Sequence, residues 1–165
     1  MKKLIVFAIF ALCAASLCFA STETAEMAVS ANLIPTVVVE ASSMNFGDWY
    51  IEDDPKSATA TINVTASLDL VYNVTLDGGL YDDDTYRYMK NGEVAVPYQL
   101  FKADLSTEWG DLGFAGTFVA GSSVEGTGTG SAVEYTVYGL LRTDLAPADA
   151  PVGLYEDTVV VTVNY

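Results

Sequence analysis

Apolar and polar residues alternate through several short segments of this chain. Between Ser57 and Ala66 every even position is apolar and every odd position is polar. The same period of two recurs in four further groups: Tyr72, Val74 and Leu76; Val94, Val96, Tyr98 and Leu100; Val133, Tyr135, Val137 and Leu141; and Val159, Val161, Val163 and Tyr165. Strands with one buried face show this alternation. No segment after residue 20 shows a convincing 3.6-residue period, so the pattern predicts an all-β fold.

Turn-forming residues separate these segments. Glycine follows Asp77 and Asn91, residues 121–131 are rich in glycine, and residues 146–153 carry two prolines. Such residues supply the positive or fixed φ angles at which a chain reverses. Several strands spaced by turns are typical of a β-sandwich. No segment has the composition of a linker between two domains.

The alternation at residues 27–41 is too long for one ordinary strand. Its apolar positions are Met27, Val29, Ala31 and Leu33, then Val37, Val39 and Ala41, with Pro35 between the two groups. As a single strand the segment would extend roughly 50 Å, against about 17–20 Å for a typical strand. Either the strand bends at Pro35 and changes sheets within one domain, or the first group has an apolar face that its own domain does not bury. The pattern alone leaves both interpretations open.

The first twenty residues have the layout of a secretory signal peptide. Lys2 and Lys3 precede an apolar run from Leu4 to Leu17, and small residues flank Phe19 before Ser21. This predicts cleavage after Ala20, which leaves 165 − 20 = 145 residues, enough for one domain. A buried N-terminal element and a lipoprotein processed at Cys18 are the alternatives. Leu17 disfavours the lipoprotein, because that processing prefers a small residue there.

Cleavage would leave an acidic chain without cysteine. Lys2 and Lys3 are lost, so 7 − 2 = 5 basic residues face 22 acidic ones, a net charge of 5 − 22 = −17. Such a surface repels nucleic acid and anionic lipid. No later apolar run is long enough to cross a membrane. We therefore expect no nucleic-acid partner and no membrane insertion after signal cleavage.

The residue inventory argues against catalysis. The chain has no histidine, and both cysteines lie before residue 20, which excludes Ser-His-Asp and Cys-His catalysis and most zinc and copper sites. Paired carboxylates could serve a glycosidase, and oxygen ligands could hold calcium. The acidic clusters at 52–54 and 82–84, however, are typical of solvated loops and match no known calcium loop. We expect no enzyme activity, no metal and no cofactor.

An ordered set of short motifs resembles the spore coat protein U domain family, the pilin subunits of archaic chaperone–usher pathways. The motifs are ANLIPT at 31–36, MNFG at 44–47, INVT at 62–65, YNVTLDGG at 72–79, PYQLF at 97–101, GTGTG at 126–130, YTVYG at 135–139 and GLYEDTVVVTVNY at 153–165. Each motif alone is weak. Together they span nearly all of the chain after residue 27, and their order is fairly specific.

The resemblance implies an immunoglobulin-like β-sandwich that lacks its final strand and is completed by a donor strand from a neighbouring subunit. Residues 21–33 would be the donor-strand extension, and 34–165 the incomplete pilin domain. A periplasmic chaperone, an outer-membrane usher and related pilin subunits joined head to tail would be the partners, in a surface pilus that supports adhesion or biofilm. The implied donor residues are Met27, Val29, Ala31 and Leu33, and the implied groove residues are Val159, Val161, Val163 and Tyr165.

One departure from the family and two alternatives belong to this prediction. The family usually has a disulfide between the positions of Val37 and Ala66, and both cysteines are absent here. Both residues lie on predicted apolar faces, which is consistent with a bridge replaced by two apolar side chains. The alternatives are a tip adhesin or lectin-like binding module, and a passive spore or cell coat protein with the same fold. A tip subunit would usually carry a further domain and need no donor strand.

Overall fold

The computed structural model describes residues 21–51, 53–114 and 116–165. The signal-peptide prediction for residues 1–20 lies outside them. Residues Ile34–Tyr165 form one compact unit. Its strands are β1 (Val37–Ala41), β2 (Lys56–Ala66), β3 (Val71–Leu76), β4 (Arg87–Asn91), β5 (Val94–Phe101), β6 (Val124–Thr127), β7 (Ala132–Leu141) and β8 (Val161–Asn164), and one 3₁₀ turn covers Thr143–Leu145. In the part of the chain that the structure describes, no helix is long and apolar enough to cross a membrane.

The strands form two antiparallel sheets. One has five strands in the order β1-β2-β7-β5-β4, and the other has three in the order β6-β3-β8. The longest pairing joins β2 to β7, from Lys56 opposite Leu141 to Thr65 opposite Ala132. The apolar faces of both sheets enclose one core, so the prediction of an all-β sandwich is confirmed.

The predicted alternation matches the buried side of the strands. In β2 the exposed fractions of Ile62, Val64 and Ala66 are 2% or less, while the odd positions between them are only partly buried. The same faces of β3, β5 and β7 supply most of the remaining core: Tyr72, Val74, Leu76, Val96, Tyr98, Leu100, Val137 and Leu141. A period of two therefore located the core correctly, because successive side chains of a strand point to opposite faces.

Strand β6 lies inside the segment 121–131 that glycine content predicted to be a turn. Gly126 belongs to β6, and a side chain there would collide with the Tyr135 hydroxyl and the Tyr72 ring. Glycine is therefore present because the strand passes close over these two tyrosines. Strand β4 was also not predicted, since its sequence RYMKN does not alternate. Both strands are short, with five and four residues, and neither shows the alternation of apolar and polar positions on which the prediction relied.

Arg87 on β4 is a charged residue that is fully buried, and its hydrogen bonds account for this. Its guanidinium donates hydrogen bonds to the backbone carbonyls of Leu76 (3.1 Å), Asp77 (2.8 Å) and Trp109 (2.8 Å). It also lies 3.4 Å from Glu108 and packs 4.2 Å from the centroid of the Phe118 ring. Burial lowers the pKa of Arg87 and raises that of Glu108. These contacts attach the long β5–β6 connection to the sandwich.

Strand β8 is shorter than the alternation at 159–165 predicts. Regular pairing covers only Val161–Asn164, and the side chains of Val159, Val161 and Val163 are half-buried. They pack against the core, as their parity predicted. Burial is incomplete because β8 is an edge strand, with β3 as its neighbour on one side. Tyr165 is 66% exposed.

Candidate functional site

The edges of the two sheets are not equally protected. At the β4 edge, Lys90 and Glu156 exchange two backbone hydrogen bonds of 3.0 and 3.1 Å. Next to β6, Ser122 bonds to the backbone of Glu108 and Gly110. In contrast, β1 pairs with β2 alone and β8 with β3 alone among the described residues. Two unpaired edges therefore lie in one small domain, where an exposed edge is a template for another strand.

The backbone groups at these two edges can be assigned from hydrogen bonds. Val160 bonds to Asp77 through both its N–H and its C=O. Successive residues of a strand direct their backbone groups to opposite sides. The N–H and C=O groups of Val159, Val161 and Val163 therefore face the open edge.

The same reasoning applies to β1. The Ser42 N–H donates to the Thr61 C=O in β2 at 2.9 Å, and the Thr36 C=O accepts from the Ser67 N–H directly after β2 at 3.0 Å. The backbone groups of Val37, Val39 and Ala41 consequently face away from β2. Strands β1 and β8 approach to within 8 Å between Cα atoms, without pairing. An open ladder thus flanks each side of the gap.

An apolar groove lies between the two open edges, with a cavity volume of about 280 Å³. Its floor comes from both sheets, and its rims are residues 41–46 on the β1 side and 157–161 on the β8 side. We call this cavity the groove; its apolar lining residues are Ala41, Met44, Phe46, Ala60, Ile62, Leu76, Met89, Tyr98, Leu100, Val137, Val159 and Val161. A site so lined is suited to apolar side chains arriving on an extended chain.

A larger cavity of about 950 Å³ adjoins the groove and shares Ser43, Met44, Phe46, Met89 and Asp157 with it. It lies between the segment after β1 and the segment before β8. The Trp49 and Tyr155 rings meet edge to face there, with centroids 5.7 Å apart. The two cavities therefore form a continuous depression along the same gap.

Asp157 is the one ionisable carboxylate lining the groove in the described part of the chain. Its carboxylate accepts hydrogen bonds from the Tyr98 hydroxyl (2.6 Å) and the Leu80 N–H (2.9 Å). Burial, together with the bond to Asp157, raises the pKa of Tyr98. The phenol is thus a neutral donor, and this polar pair is satisfied within the domain.

The structure places the predicted site residues in two groups. Val159 and Val161 line the groove, and Val163 lies on the same face of β8. The predicted donor residues belong to residues 21–33, which have no regular secondary structure. Their side chains are exposed: Met27 by 84%, Val29 by 82% and Leu33 by 90%, with Ala31 also exposed. An apolar face repeated every second residue therefore lies open in this segment.

Val37 and Ala66, the two positions at which the family resemblance implied a lost disulfide, lie directly opposite each other in the pairing of β1 with β2. Ala66 is buried and Val37 is half-buried. Since the backbone of Val37 faces the open edge, this is a non-hydrogen-bonded pair, with a typical Cα separation of about 4.5 Å. Two apolar side chains therefore face each other at this pair of positions.

Sequence reasoning missed the 41–46 rim of the groove, the Asp157 carboxylate that lines it and the Asp77 carboxylate beside it. The rim at residues 41–46 follows β1, and its MNFG motif was used only for the resemblance. Asp77 lies where glycine predicts a turn, and Asp157 lies in the last motif of the resemblance. The glycine pair at 78 and 79 was the available signal, because glycine allows other atoms to approach the backbone closely.

Two side chains of the acidic clusters, Asp53 and Asp83, have partners within the domain. Among the described residues, no group of three histidine, cysteine or acidic side chains could hold a metal ion. Asp83 instead accepts hydrogen bonds from the Thr85 and Tyr86 N–H groups and from the Tyr88 hydroxyl, and the Tyr86 bond is the main reason that its pKa is lowered. Asp53 pairs with Lys56 at 3.6 Å.

Comparisons with known proteins agree with this architecture. Residues 23–162 match the Spore Coat Protein U domain family, and the chain belongs to that family. No curated protein matches the chain. A solved structure, the CsuC–CsuE chaperone–tip adhesion subunit pre-assembly complex from archaic chaperone–usher Csu pili of Acinetobacter baumannii, matches with a TM-score of 0.56 at 21% identity. The match covers 81% of this chain and 40% of that chain, and at this identity it shows a shared fold.

Proposed function

We propose that this protein is a structural subunit of a surface pilus, and that its groove receives residues 22–33 of a neighbouring copy. The carrying observation is the pair of unpaired edges, β1 and β8, on either side of an apolar groove. An extended chain that moves the two edges to about 9.6 Å apart, which is two strand spacings, could bond to both edges and place alternate side chains on the floor. Repetition of this contact is heterologous and does not close, so it produces a filament.

The extension has the properties that such a donor needs. Its apolar positions Met27, Val29, Ala31 and Leu33 alternate with Ala28, Ser30 and Asn32, so one face is apolar along its length. Those side chains are exposed in the single chain. Burying the larger ones contributes roughly 1.5–3 kcal/mol each. Completion of the sandwich by a second copy therefore has a clear driving force.

The proposed route to the surface follows from the same open edges. A subunit with an unfilled groove and free ladder groups is prone to aggregation. A periplasmic chaperone would cover the groove until an outer-membrane usher exchanges it for the next subunit, after signal cleavage near Ser21. Support for these partners comes from family membership and from a solved neighbour that is itself a chaperone–subunit complex. Adhesion or biofilm support is the proposed role of the fibre.

The test is a change of charge on one face of the extension. Val29→Asp with Ala31→Asp puts two unpaired charges into the groove and should abolish fibres, seen by electron microscopy of the native cell surface. The matched control, Ala28→Asp with Ser30→Asp, adds the same charge to the opposite face and should leave fibres intact.

Deletion of residues 22–32 should likewise prevent fibres, while the truncated subunit still copurifies with its chaperone. If the truncated subunit still builds fibres, the donor role is wrong. If it is degraded even with chaperone present, the segment belongs to its own domain, and the strand that bends at Pro35 is the correct interpretation.

A further inference from the structure

The segment that enters β8 is held by two carboxylates beside the groove. Asp77 Oδ1 accepts hydrogen bonds from the Val160 N–H (2.8 Å) and the Gly79 N–H (3.0 Å). Asp157 bonds to the Leu80 N–H and the Tyr98 hydroxyl, as described above. The two side chains thus connect the β8 rim of the groove to the β3–β4 turn and to β5. We call this set of four hydrogen bonds the clasp.

The turn is shaped to receive these carboxylates. Gly79 has a φ of +81°, a conformation that side chains strongly disfavour. A side chain at this position would also collide with the Asp157 carboxylate. Glycine therefore serves two purposes here, because it allows the left-handed turn and leaves room for Asp157.

The clasp does not use the backbone groups at the open edge. Val160 directs its N–H and C=O to Asp77, whereas Val159 and Val161 direct theirs into the gap. The rim is consequently held on the far side from an incoming strand. The groups with which that strand would pair stay free.

We infer that Asp77 and Asp157 are positioning residues that keep the β8 rim in place, so that the groove is open before a donor strand enters. This inference rests on the proposed function, since it concerns entry of the donor. An edge segment with few partners frays readily. When only a fraction of molecules has the binding conformation, the apparent affinity falls by that fraction. Loss of the clasp therefore weakens donor binding indirectly, because it lowers the fraction of molecules in which the β8 rim is in place.

The first test needs no change in the clasp. Residues 21–165 carrying Val29→Asp and Ala31→Asp cannot fill a neighbour's groove, so amide hydrogen exchange can be followed in the single subunit, at a dilution at which light scattering shows no aggregation. The Val160 amide should be protected, and the Val159 and Val161 amides should exchange at least about tenfold faster. Equal exchange at Val160 and Val161 would overturn the inference.

The second test uses a synthetic peptide of residues 22–33 as the probe, with binding measured by calorimetry on the same chain. Asp77→Ala removes both bonds to Asp77 and should raise the peptide Kd about tenfold. Asp77→Asn keeps an oxygen at the accepting position, and its Kd should stay within about twofold. The matched control is Asp104→Ala, because Asp104 accepts comparable bonds from Ser106 and Thr107 in a loop outside the groove.

The outcomes distinguish failure of the positioning role from failure of the proposed function. If Asp77→Ala binds the peptide as tightly as its parent, the positioning role is wrong. If Asp104→Ala weakens binding as much as Asp77→Ala does, the effect is general destabilisation, and the positioning role is again wrong. If Asp77→Ala does not fold, Tyr98→Phe removes one bond to Asp157 while keeping the ring, and should raise the Kd about threefold. If the parent chain binds no peptide, the proposed function fails, while Val160 protection still reports on the clasp.

Discussion

Introducing a covalent link between β1 and β2 should stabilise the domain strongly. Val37→Cys with Ala66→Cys places two cysteines directly opposite each other on the inner face of the pair. A non-hydrogen-bonded antiparallel pair has its Cα atoms about 4.5 Å apart. That separation lies within the range of about 4.4–6.8 Å that disulfides accept. The bridge should therefore form on oxidation without movement of either strand.

The size of the effect follows from the loop that the bridge closes. Residues 37 to 66 enclose 66 − 37 + 1 = 30 residues. The chain-entropy estimate for such a loop is about 3.6 kcal/mol at 25 °C. Replacing the half-buried valine offsets about 1 kcal/mol of this. With an unfolding entropy of about 2.1 cal/mol/K per residue over residues 34–165, the net gain corresponds to a rise in melting temperature of about 9 °C.

Calorimetry of the double mutant, oxidised and reduced, gives the comparison within one sequence. The two single cysteine mutants control for the substitutions themselves and should melt slightly below the parent. A bridge that forms with no rise in melting temperature would contradict the entropic reasoning. Failure to form a bridge in an oxidising buffer would show that the pairing of Val37 with Ala66 is wrong.

Three further predictions concern single side chains. Val161→Asp should abolish accumulation of the subunit in the periplasm, measured by immunoblot, because it buries a charge without a partner; Val160→Asp, at a position 54% exposed on the other face, should accumulate normally. Arg87→Met should lower the free energy of unfolding by about 3–5 kcal/mol in urea denaturation, because it leaves three buried carbonyls without their donor and removes the ion pair with Glu108. Hydrogen bonds lower the pKa of Asp104 from 3.8 to about 2, so this group stabilises the fold above about pH 4 and the contribution disappears as the pH falls through 2. Asp104→Asn should therefore reduce the change in melting temperature between pH 4 and pH 2. An unchanged melting-temperature profile in that range would contradict the lowered pKa of Asp104.

Most of the fold followed from side-chain parity, because burial on one face leaves a period of two. Parity failed for β4 and β6. Arg87 is buried through bonds to backbone carbonyls that no pattern reveals. Gly126 lies in a strand because two tyrosines from distant segments crowd it. Both facts depend on contacts between residues far apart in the sequence.

Prediction of the site was similarly uneven. The inward face of Val159 and Val161 could be inferred from alternation, whereas their place beside a groove was implied by the family resemblance alone. Strand order decides which edges are open, and it depends on pairing between segments as remote as Leu76 and Val161. The carboxylate of Asp157 could not have been assigned to Tyr98 without the packed structure, for the same reason.

The absence of a bridge between Val37 and Ala66 has a mechanical consequence. In a fibre of the proposed kind, a pulling force passes along the extension through Pro35 and enters the domain at the first residues of β1. Strand β1 pairs with β2 over five residue pairs, from Val37 opposite Ala66 to Ala41 opposite Ile62. A disulfide at the first pair would transmit the load covalently to β2 and bypass the other four. Without it, the hydrogen bonds of this pairing carry the load in shear, and the tensile strength of each subunit depends on the rate at which β1 detaches.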